Sequence, residues 1–485
     1  MPIGAKEALI NSTLSQVLRL MYKDLPDALK SPRKGIIMNP ETYSVPCIYD
    51  ILSKSNPKSR LPLIVSVPGS KSITNRALLL ATLAEGRSVL EGALFSDDSR
   101  HFLKCIQDLG FEAFADEENR RITVNGLGGI VPRREARQYV GSAGTAARFL
   151  TAYLGVSEGI YHMDASEQMR RRPMAPLLDS LEKLGCRIEY DSENTGYFPF
   201  TLHSCGFAAD KITVNIDSSS QFLSALLIAS CLSKQNFTTC VSGSHGMAYI
   251  DMTLQMMEQF GVKVQRKSPN TFLTKAGQHY RPQDYRIEPD VSAACYFYAC
   301  CPLLNVPVLV EHVHYDSLQG DVKFIDILEK MGCCAKDTER GIVLSPPAEG
   351  HFQGVTVDMS ACSDQAITLA ALAPFADSPT TITGVSHIRF QESDRIRAIV
   401  AELSKMGIRC EEHSSGITVY PGLHAPSLVE TYNDHRMAMG FSLTGLRSRG
   451  IVIHDPDCCR KTFENYFQVL DQVITTLCPA YQRES

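Results

Sequence analysis

The feature that most constrains the fold of this chain is an internal repeat. An amphipathic helix that ends in glycine and leads into a strand-like run occurs five times, at nearly equal spacing along the chain. The closing glycines are Gly110, Gly185, Gly261, Gly332 and Gly407. Glycine after a helix takes the left-handed conformation at no steric cost. The even spacing indicates one structural unit used repeatedly.

A second element keeps the same period. It has a small or polar start followed by an Ala/Leu-rich apolar helix, and its marker positions are Ser72, Thr145, Ser220, Ser292, Asp364 and His435. Each unit is therefore predicted to run strand, buried helix, strand, amphipathic helix, strand, with the apolar helix inside. A solenoid fits less well, because solenoid units usually have about 20–50 residues and the unit here is longer.

The charge of the chain restricts how it can bind a partner. It has 48 basic and 53 acidic residues and a net charge of −5, so no overall field attracts nucleic acid, and none is expected as a partner. Anion binding must come from a local cluster. The N-terminal ends of the buried helices carry free N–H groups and partial positive charge, so their convergence predicts an anion-binding cleft.

Length and cysteine usage fit an intracellular protein of two or three domains. The chain has 485 residues and 16 cysteines, without a C-x-x-C pair or a zinc-like Cys/His spacing. We interpret the cysteines as reduced core residues, and a disulfide framework is the weaker alternative. No metal is expected.

The sequence also bears on membranes and location. The most apolar stretch, 295–310, is interrupted by Pro302 and Pro307, so no membrane partner is predicted. The segment 1–23 contains one acid, Glu7, in an amphipathic pattern. A targeting helix for organelle import is one interpretation. A plain surface extension is favoured, which predicts a cytoplasmic protein.

The clearest chemical motif begins at Leu61. A strand ends before Pro68-Gly69, and Ser70-Lys71-Ser72 then opens a helix, with Arg76 one turn further on. Two hydroxyls, one ammonium and free N–H groups point at one place, which favours a phosphate or carboxylate. The spacing is not that of a P-loop. Taken alone, the motif could also be an exposed structural turn.

The remaining units carry further motifs, and their order along the chain is informative. The chain resembles the EPSP synthase family through an ordered set of motifs spread over 61–467: PGSKS-x-x-NRALLLA, G-x-AGTA-x-R, SSQFL-x-ALL, ESDRI and YNDHRMAM. That resemblance implies an α/β fold, a two-domain inside-out α/β barrel of six βαβαββ repeats, three per domain. It places the first domain at 70–287 and the second at 61–69 plus 288–485, after an N-terminal extension of unknown role at 1–60.

The resemblance also implies a reaction. The enolpyruvyl group of phosphoenolpyruvate is transferred to the 5-hydroxyl of shikimate 3-phosphate, giving 5-enolpyruvylshikimate 3-phosphate and phosphate, in the shikimate pathway to chorismate and aromatic amino acids. No cofactor is implied, and the expected state is a monomer.

Roles follow from the resemblance position by position. The implied shikimate 3-phosphate contacts are Lys71, Ser72, Arg76, Ser219, Ser220, Gln221, Tyr249, Asp364 and Gln391. The implied phosphoenolpyruvate contacts are Lys71, Gly144, Gln168, Gln221, Arg395, Arg436 and Lys461. The implied catalytic residues are Asp364, Glu392 and Lys71. Arginine forks suit carboxylate and phosphate because they donate two parallel hydrogen bonds.

The two acids have distinct expected tasks. Asp364 begins a helix, which holds it ionised and fits a base for the substrate hydroxyl. The family places the equivalent of Glu392 near the phosphoenolpyruvate methylene. Fixed charges would stabilise the charge that develops. Paired carboxylates are also common on protein surfaces, which is the alternative for both.

The chain departs from the family at four positions. These are Ser142, Gln168, Gly246 and Gln391. The residue usual at 168 in many members is an anion-binding arginine, and Arg170 or Arg171 is a candidate to replace that cation.

Two other functions stay open. The sister enolpyruvyl transferase acting on UDP-N-acetylglucosamine shares the six-unit fold but lacks the SKS…NR and NDHR signatures seen here. A non-catalytic relative that senses a phosphorylated metabolite is favoured by the departures and opposed by the retained Lys71, Asp364, Glu392 and Arg395.

Overall fold

The computed structural model describes residues 41–53, 61–191, 193–243, 246–479 and 481. The amphipathic pattern in the segment 1–23 lies outside the described residues.

Helices and strands alternate along the chain. Within these residues the helices are α1 (Tyr49–Leu52), α2 (Lys71–Leu83), α3 (Asp97–Asp108), α4 (Gly144–Gly155), α5 (Glu167–Arg170), α6 (Ala175–Lys183), α7 (Gln221–Ser230), α8 (Met247–Gln259), α9 (Val291–Leu304), α10 (Lys323–Lys330), α11 (Ala366–Leu372), α12 (Arg395–Lys405), α13 (His435–Arg447) and α14 (Tyr466–Leu477). The strands are β1 (Thr42–Ser44), β2 (Leu63–Val65), β3 (Glu85–Glu91), β4 (Glu112–Asp116), β5 (Arg121–Leu127), β6 (Glu135–Tyr139), β7 (Glu158–Asp164), β8 (Arg187–Tyr190), β9 (Phe200–Cys205), β10 (Lys211–Asn215), β11 (Phe237–Ser242), β12 (Val264–Ser268), β13 (Thr271–Thr274), β14 (Asp284–Arg286), β15 (Val308–Val310), β16 (Cys334–Thr338), β17 (Gly341–Ser345), β18 (Thr356–Asp358), β19 (Thr380–Thr383), β20 (Cys410–His413), β21 (Gly416–Val419), β22 (Ser427–Val429) and β23 (Ile451–His454).

The described strands form six sheets, and five of them share one strand order. In the order β6-β7-β9-β8, the first pair is parallel and the next two pairs are antiparallel. Tyr161 on β7 lies opposite Ala136 on one side and Leu202 on the other. A helix joins the parallel strands, as parallel pairing requires. The predicted six-unit, two-domain α/β fold is confirmed.

The sixth sheet is completed differently. Its order is β1-β23-β22, with β1 antiparallel to β23 and Thr42 opposite His454. Tyr43 on β1 is fully buried, with its ring centroid 4.3 Å from that of Phe467. These residues lie in the stretch 1–60, predicted as an N-terminal extension of unknown role, and Thr42–Ser44 contribute a strand to the sixth sheet. A strand as short as β1 shows no clear alternation of apolar and polar residues.

Two clusters of buried apolar residues divide the described chain. One runs from Ile73 to Ile287, and the other combines 43–67 with 291–478. The division at 70–287 and 61–69 plus 288–485 stays a prediction, which these clusters support. Below we call the two parts the first and second domains.

The chain crosses between the domains on two adjacent segments. Ser70 donates its N–H to the Glu288 carbonyl, and Asp290 donates its N–H to the Pro68 carbonyl, each at 2.8 Å. Gly69 lies between them, where an added Cβ would sit 1.9 Å from the Gly92 carbonyl oxygen. The close approach of two backbones therefore requires glycine here.

Apolar helices form the centre of each domain. They are α2, α4 and α7 in the first and α9, α11 and α13 in the second. Every residue of α4 is buried. The outer helices end at the five repeat glycines, whose φ angles lie between +79° and +109°, as predicted. This arrangement places the N-terminal residues of the inner helices beside the gap between the domains.

Candidate active site

The N-terminal residues of inner helices from both domains meet around one cavity of about 80 Å³. Its lining residues are Lys71, Ser72, Arg76, Thr145, Arg148, Arg172, Ser218, Ser219, Ser220, Gln221, Tyr249, Ser363, Asp364, His387, Phe390, Gln391, Glu392, Arg395, His435 and Arg436. Most of them come from segments that the repeat placed one period apart. A local cationic cleft therefore exists in a chain whose net charge is −5.

The structure brings the residues implied by the resemblance together. Those lining the cavity are Lys71, Ser72, Arg76, Ser219, Ser220, Gln221, Tyr249, Asp364, Gln391, Glu392, Arg395 and Arg436. The other three, Gly144, Gln168 and Lys461, lie beside this lining and contact or adjoin it. Their roles toward ligands stay predictions.

Asp364 lies between two guanidinium groups. Its Oδ1 accepts from Arg395 at 3.0 Å, and its Oδ2 accepts from Arg436 at 2.7 Å and from the Tyr249 hydroxyl at 2.8 Å. Burial by itself would raise the pKa of Asp364, but Arg436 and Arg395 outweigh burial and lower the pKa to about 2. In this arrangement Asp364 is a fully ionised and weak base.

Glu392 has a similar set of cations around it. Its Oε1 lies 3.1 Å from the Lys461 ammonium and 3.5 Å from Arg172, and its Oε2 accepts from Arg395 at 3.0 Å. Burial opposes ionisation, yet Lys461, Arg172 and Arg395 together hold the pKa of Glu392 well below its usual range. Both acids are therefore paired with cations that the resemblance assigns to phosphoenolpyruvate.

Arg395 is fixed from behind by Asp434. The Asp434 carboxylate is fully buried and accepts from Arg395 Nε at 2.8 Å and Nη2 at 3.2 Å. It also accepts the backbone N–H of Arg436 at 3.0 Å. One buried acid thus orients the Arg395 fork and the start of the helix that carries Arg436, because a fork donates along fixed directions.

Lys71 stands at the crossing between the domains. Its backbone N–H donates to the Asp290 carboxylate at 3.0 Å, and its ammonium lies 3.5 Å from Asp98. Ser70 caps the helix by accepting from the Ile73 N–H at 3.4 Å. The ammonium is therefore held at the cleft by the start of α2.

Arg76 is fully buried and packs over the Phe149 ring, with its guanidinium carbon 5.3 Å from the centroid. It donates to the Thr253 hydroxyl at 2.8 Å and to the backbone carbonyls of Ser72 and Tyr249 at 3.0 and 3.3 Å. Burial lowers the pKa of Arg76 to about 10. Arg76 thereby supports Ser72 and Tyr249, which themselves line the cavity.

Two of the four departures have a local structural reason. Gly246 has φ +67°, and a Cβ there would lie 2.6 Å from the Ser220 hydroxyl oxygen, so a serine at this position would press on Ser220. The Gln391 side-chain oxygen accepts from Arg395. A lysine at 391 could not accept that bond.

Neither of the two candidates for the missing cation, Arg170 and Arg171, lines the cavity. Arg170 pairs with Asp164 and Arg171 pairs with Glu167, and all four side chains are substantially exposed. Arg172 instead lines the cavity and lies 3.5 Å from Glu392. The turn at the end of α5 points these neighbours in different directions, which three consecutive arginines in a sequence do not reveal.

Sequence reasoning also missed Asp98, Asp321 and Asp434, which are all nearly or fully buried near the cleft. Asp98 and Asp434 stand at helix starts, where an acid commonly serves only as a cap or favours the helix dipole. A signal was available for Asp321, because Gln-Gly-Asp precedes the amphipathic helix in one repeat only.

Asp321 belongs to a hydrogen-bond network behind the acids. It accepts from the Ser292 hydroxyl at 2.6 Å and from the Gln365 side chain at 3.4 Å. Ser292 in turn accepts from Arg436 at 3.4 Å. Burial, followed by the charge of Asp364, raises the pKa of Asp321 to about 6.

The fold and the site define a class of two-domain α/β proteins whose cationic cleft suits small polyanions. Comparison with known proteins identifies the family. A sequence model of the family described as EPSP synthase (3-phosphoshikimate 1-carboxyvinyltransferase) matches residues 55–470. The chain belongs to the EPSP synthase family.

Individual relatives agree with the family match. A 3-phosphoshikimate 1-carboxyvinyltransferase from Nostoc punctiforme is 43% identical over 413 residues, which is 84% of this chain and 96% of that protein. A chloroplastic one from Arabidopsis thaliana is 39% identical over 427 residues, covering 84% and 82% of the two chains.

Solved structures share the fold. An EPSP synthase structure from Acinetobacter baumannii superposes with a TM-score of 0.72 at 24% identity, over 85% of this chain and 95% of that one. Among the described residues no helix is long and apolar enough to cross a membrane. The 16 cysteines form no disulfide bond with one another.

Proposed function

We propose that this chain transfers the enolpyruvyl group of phosphoenolpyruvate to the 5-hydroxyl of shikimate 3-phosphate. The observation that carries the proposal is the pairing of two largely buried acids, Asp364 and Glu392, with four cations around one interdomain cavity. These cations are Arg172, Arg395, Arg436 and Lys461. The named activity of relatives that match more than four-fifths of the chain supports the same reaction.

The shared arginines suggest how the acids become active. Without a bound anion, Arg395 and Arg436 hold Asp364 ionised and weakly basic. The carboxylate and phosphate of phosphoenolpyruvate compete for the same guanidinium groups. As those groups turn to the substrate, the pKa of Asp364 rises towards the range in which a carboxylate accepts a proton.

The reaction then needs balanced proton transfers. Asp364 takes the proton of the 5-hydroxyl while the oxygen of that hydroxyl forms a bond to C2 of phosphoenolpyruvate. The methylene carbon C3 gains a proton, delivered by the Lys71 ammonium or by Glu392 after the substrate has drawn its cations away and the carboxylate has taken up a proton, and the result is a tetrahedral adduct. Loss of phosphate from C2 and of a proton from C3 restores the double bond. Fixed cations stabilise the phosphate that leaves.

The test is phosphate release from phosphoenolpyruvate, measured with shikimate 3-phosphate, with UDP-N-acetylglucosamine and with neither. Release that requires shikimate 3-phosphate is expected. Release that requires the UDP-sugar would assign the sister activity. Binding of shikimate 3-phosphate without any release would indicate a sensor and overturn the proposal.

Three finer predictions remain proposals. The negative net charge supports the absence of nucleic-acid partners. The 16 cysteines form no disulfide bond, which suits a reducing compartment and supports a cytoplasmic location. A monomeric state stays a prediction.

A further inference from the structure

Asp321 is a buried carboxylate that lies behind the active-site cavity. It is 4% exposed, and with Ser292, Tyr296 and Arg436 it lines a separate cavity of about 20 Å³. That volume has room for about one water molecule and for no substrate. Arg436 lines both cavities. Asp321 can therefore affect the reaction only through neighbours such as Arg436.

The segment Gln319-Gly320-Asp321 holds this carboxylate in one place. The Gln319 side-chain oxygen accepts the N–H of Val291, the first residue of α9, at 3.0 Å. At Gly320 an added Cβ would lie 2.5 Å from a backbone carbonyl oxygen of a neighbouring segment, so the backbone passes where only glycine fits. Since Ser292 follows Val291 directly, these contacts fix Asp321 relative to Ser292.

Ser292 links Asp321 to the arginine. Its hydroxyl donates to the Asp321 carboxylate at 2.6 Å. Burial, followed by the charge of Asp364, raises the pKa of Asp321 to about 6, so the carboxylate is ionised above about pH 7 and can only accept. A serine hydroxyl has one hydrogen. Because Asp321 takes that hydrogen, the lone pairs of Ser292 face Arg436, whose Nη2 lies 3.4 Å away.

The acceptors around Arg436 decide where its fork points, because a guanidinium has only donors. Its Nη2 donates to Asp364 at 2.7 Å as well as to Ser292. Its Nη1 donates to the Tyr296 hydroxyl at 3.3 Å. Ser292 and Tyr296 lie one turn apart on α9, so one helix presents both hydroxyls to the fork. The direction of the fork then depends on both hydroxyls offering their oxygen lone pairs.

We propose that Asp321 is a positioning residue for enolpyruvyl transfer: it takes the hydrogen of Ser292 and so makes that hydroxyl an acceptor that directs the Arg436 fork towards phosphoenolpyruvate. This inference rests on the proposed function for the identity of the substrate. The role of Asp321 is distinct from that of Asp364, which contacts Arg436 itself.

An asparagine at position 321 cannot replace the carboxylate. Gln365 donates to the second carboxylate oxygen of Asp321 at 3.4 Å, and the oxygen of Gln365 already accepts from the Thr368 hydroxyl at 3.0 Å. In either orientation the asparagine would therefore turn its amide nitrogen towards a donor, which is the Gln365 amide or the Ser292 hydroxyl. When the nitrogen faces Ser292, the hydroxyl turns its hydrogen towards the guanidinium, and the acceptor is lost.

Three variants test the route through Ser292: Asp321→Asn, Ser292→Ala and the double variant. In each single variant the KM for phosphoenolpyruvate should rise about tenfold, the effect of losing one hydrogen bond to a charged group, while kcat falls less. The double variant should resemble Ser292→Ala, because Asp321 has no route to Arg436 once the hydroxyl is gone. A purely structural role would lower the active fraction of the protein, and so kcat, with KM unchanged.

The matched control is Asp326→Asn on α10, which removes an exposed ion pair with Lys323. It should match the wild type, because exposed ion pairs contribute little. Calorimetric titration with phosphoenolpyruvate gives the same comparison of affinities without turnover. Ser292→Ala by itself decides the question where Asp321→Asn does not fold.

Three results would overturn the inference: an unchanged KM in Ser292→Ala, effects that multiply in the double variant, or a fall in kcat at unchanged KM. Any of these together with wild-type turnover removes this inference alone. A tenfold rise in the dissociation constant of the variants, in a wild type that releases no phosphate, would support this inference and remove the proposed function alone.

Discussion

Replacing Asp364 by asparagine removes one negative charge from between two guanidinium groups with almost no change in shape. The carboxylate accepts from Arg395 at 3.0 Å and from Arg436 at 2.7 Å, and these contacts lower its pKa from the usual 3.8 to about 2. A shift of this size corresponds to about 2 kcal/mol in favour of the charged form. The amide cannot take the 5-hydroxyl proton, so turnover should fall about 10²–10⁴-fold.

Binding of phosphoenolpyruvate, unlike turnover, should not weaken in Asp364→Asn. The two arginines lose their internal anion in Asp364→Asn and become free for phosphoenolpyruvate, so the dissociation constant should stay the same or fall. Phosphate release under saturating substrates measures the first effect, and calorimetric titration with phosphoenolpyruvate measures the second. Asp251→Asn, which breaks a surface pair with Arg266, is the matched control and should match the wild type.

Either of two outcomes would refute this reasoning. Turnover within tenfold of the wild type would remove Asp364 as the base. Loss of phosphoenolpyruvate binding in proportion to turnover would show that Asp364 organises the site rather than acting in the proton transfer. Acidification offers a further check. Because the folded-state pKa is depressed, the ion pairs stabilise the protein above pH 4 and lose this effect as the pH falls towards 2. The melting temperature of Asp364→Asn should therefore lack the decrease that these ion pairs cause in the wild type between pH 4 and pH 2.

Four further substitutions test the cleft. Lys71→Ala should lower phosphoenolpyruvate affinity and turnover together, seen as a higher KM and a lower kcat, and an effect on only one would contradict its double role. Arg172→Gln should raise that KM roughly tenfold or more, since charge-assisted bonds contribute about 1.5–3 kcal/mol, whereas Arg171→Gln on the surface should not. Gly144→Ala should also raise the KM for phosphoenolpyruvate, because the new Cβ would lie 2.7 Å from the Arg148 guanidinium and 3.0 Å from that of Arg172; an unchanged KM would show that both arginines move freely. Asp321 has a pKa raised to about 6, so its burial destabilises the fold as the pH rises from about 4 through 6. In Asp321→Asn the melting temperature should not show this decrease between pH 4 and pH 6.

The sequence by itself determined the repeat, and through it most of the architecture. Helix-ending glycines and apolar helices follow local rules of backbone conformation and burial, which act over short stretches of chain and so leave a periodic trace. The same periodicity identified the helix starts that carry Lys71, Ser220, Asp364 and Arg436. It predicted one anionic-ligand cleft because equivalent points of repeated units occupy equivalent places.

Only the tertiary structure decided which neighbours point into the cleft and which charges pair. Three consecutive arginines, at positions 170, 171 and 172, look equivalent in the sequence. Only Arg172 lines the cavity, because the short turn directs each of the three side chains differently. Gln168 contacts Lys461 from the other domain. The strand Thr42–Ser44, near the start of the described chain, pairs with β23 near its end. Such contacts depend on the packing of whole domains, and no local pattern of residues encodes them.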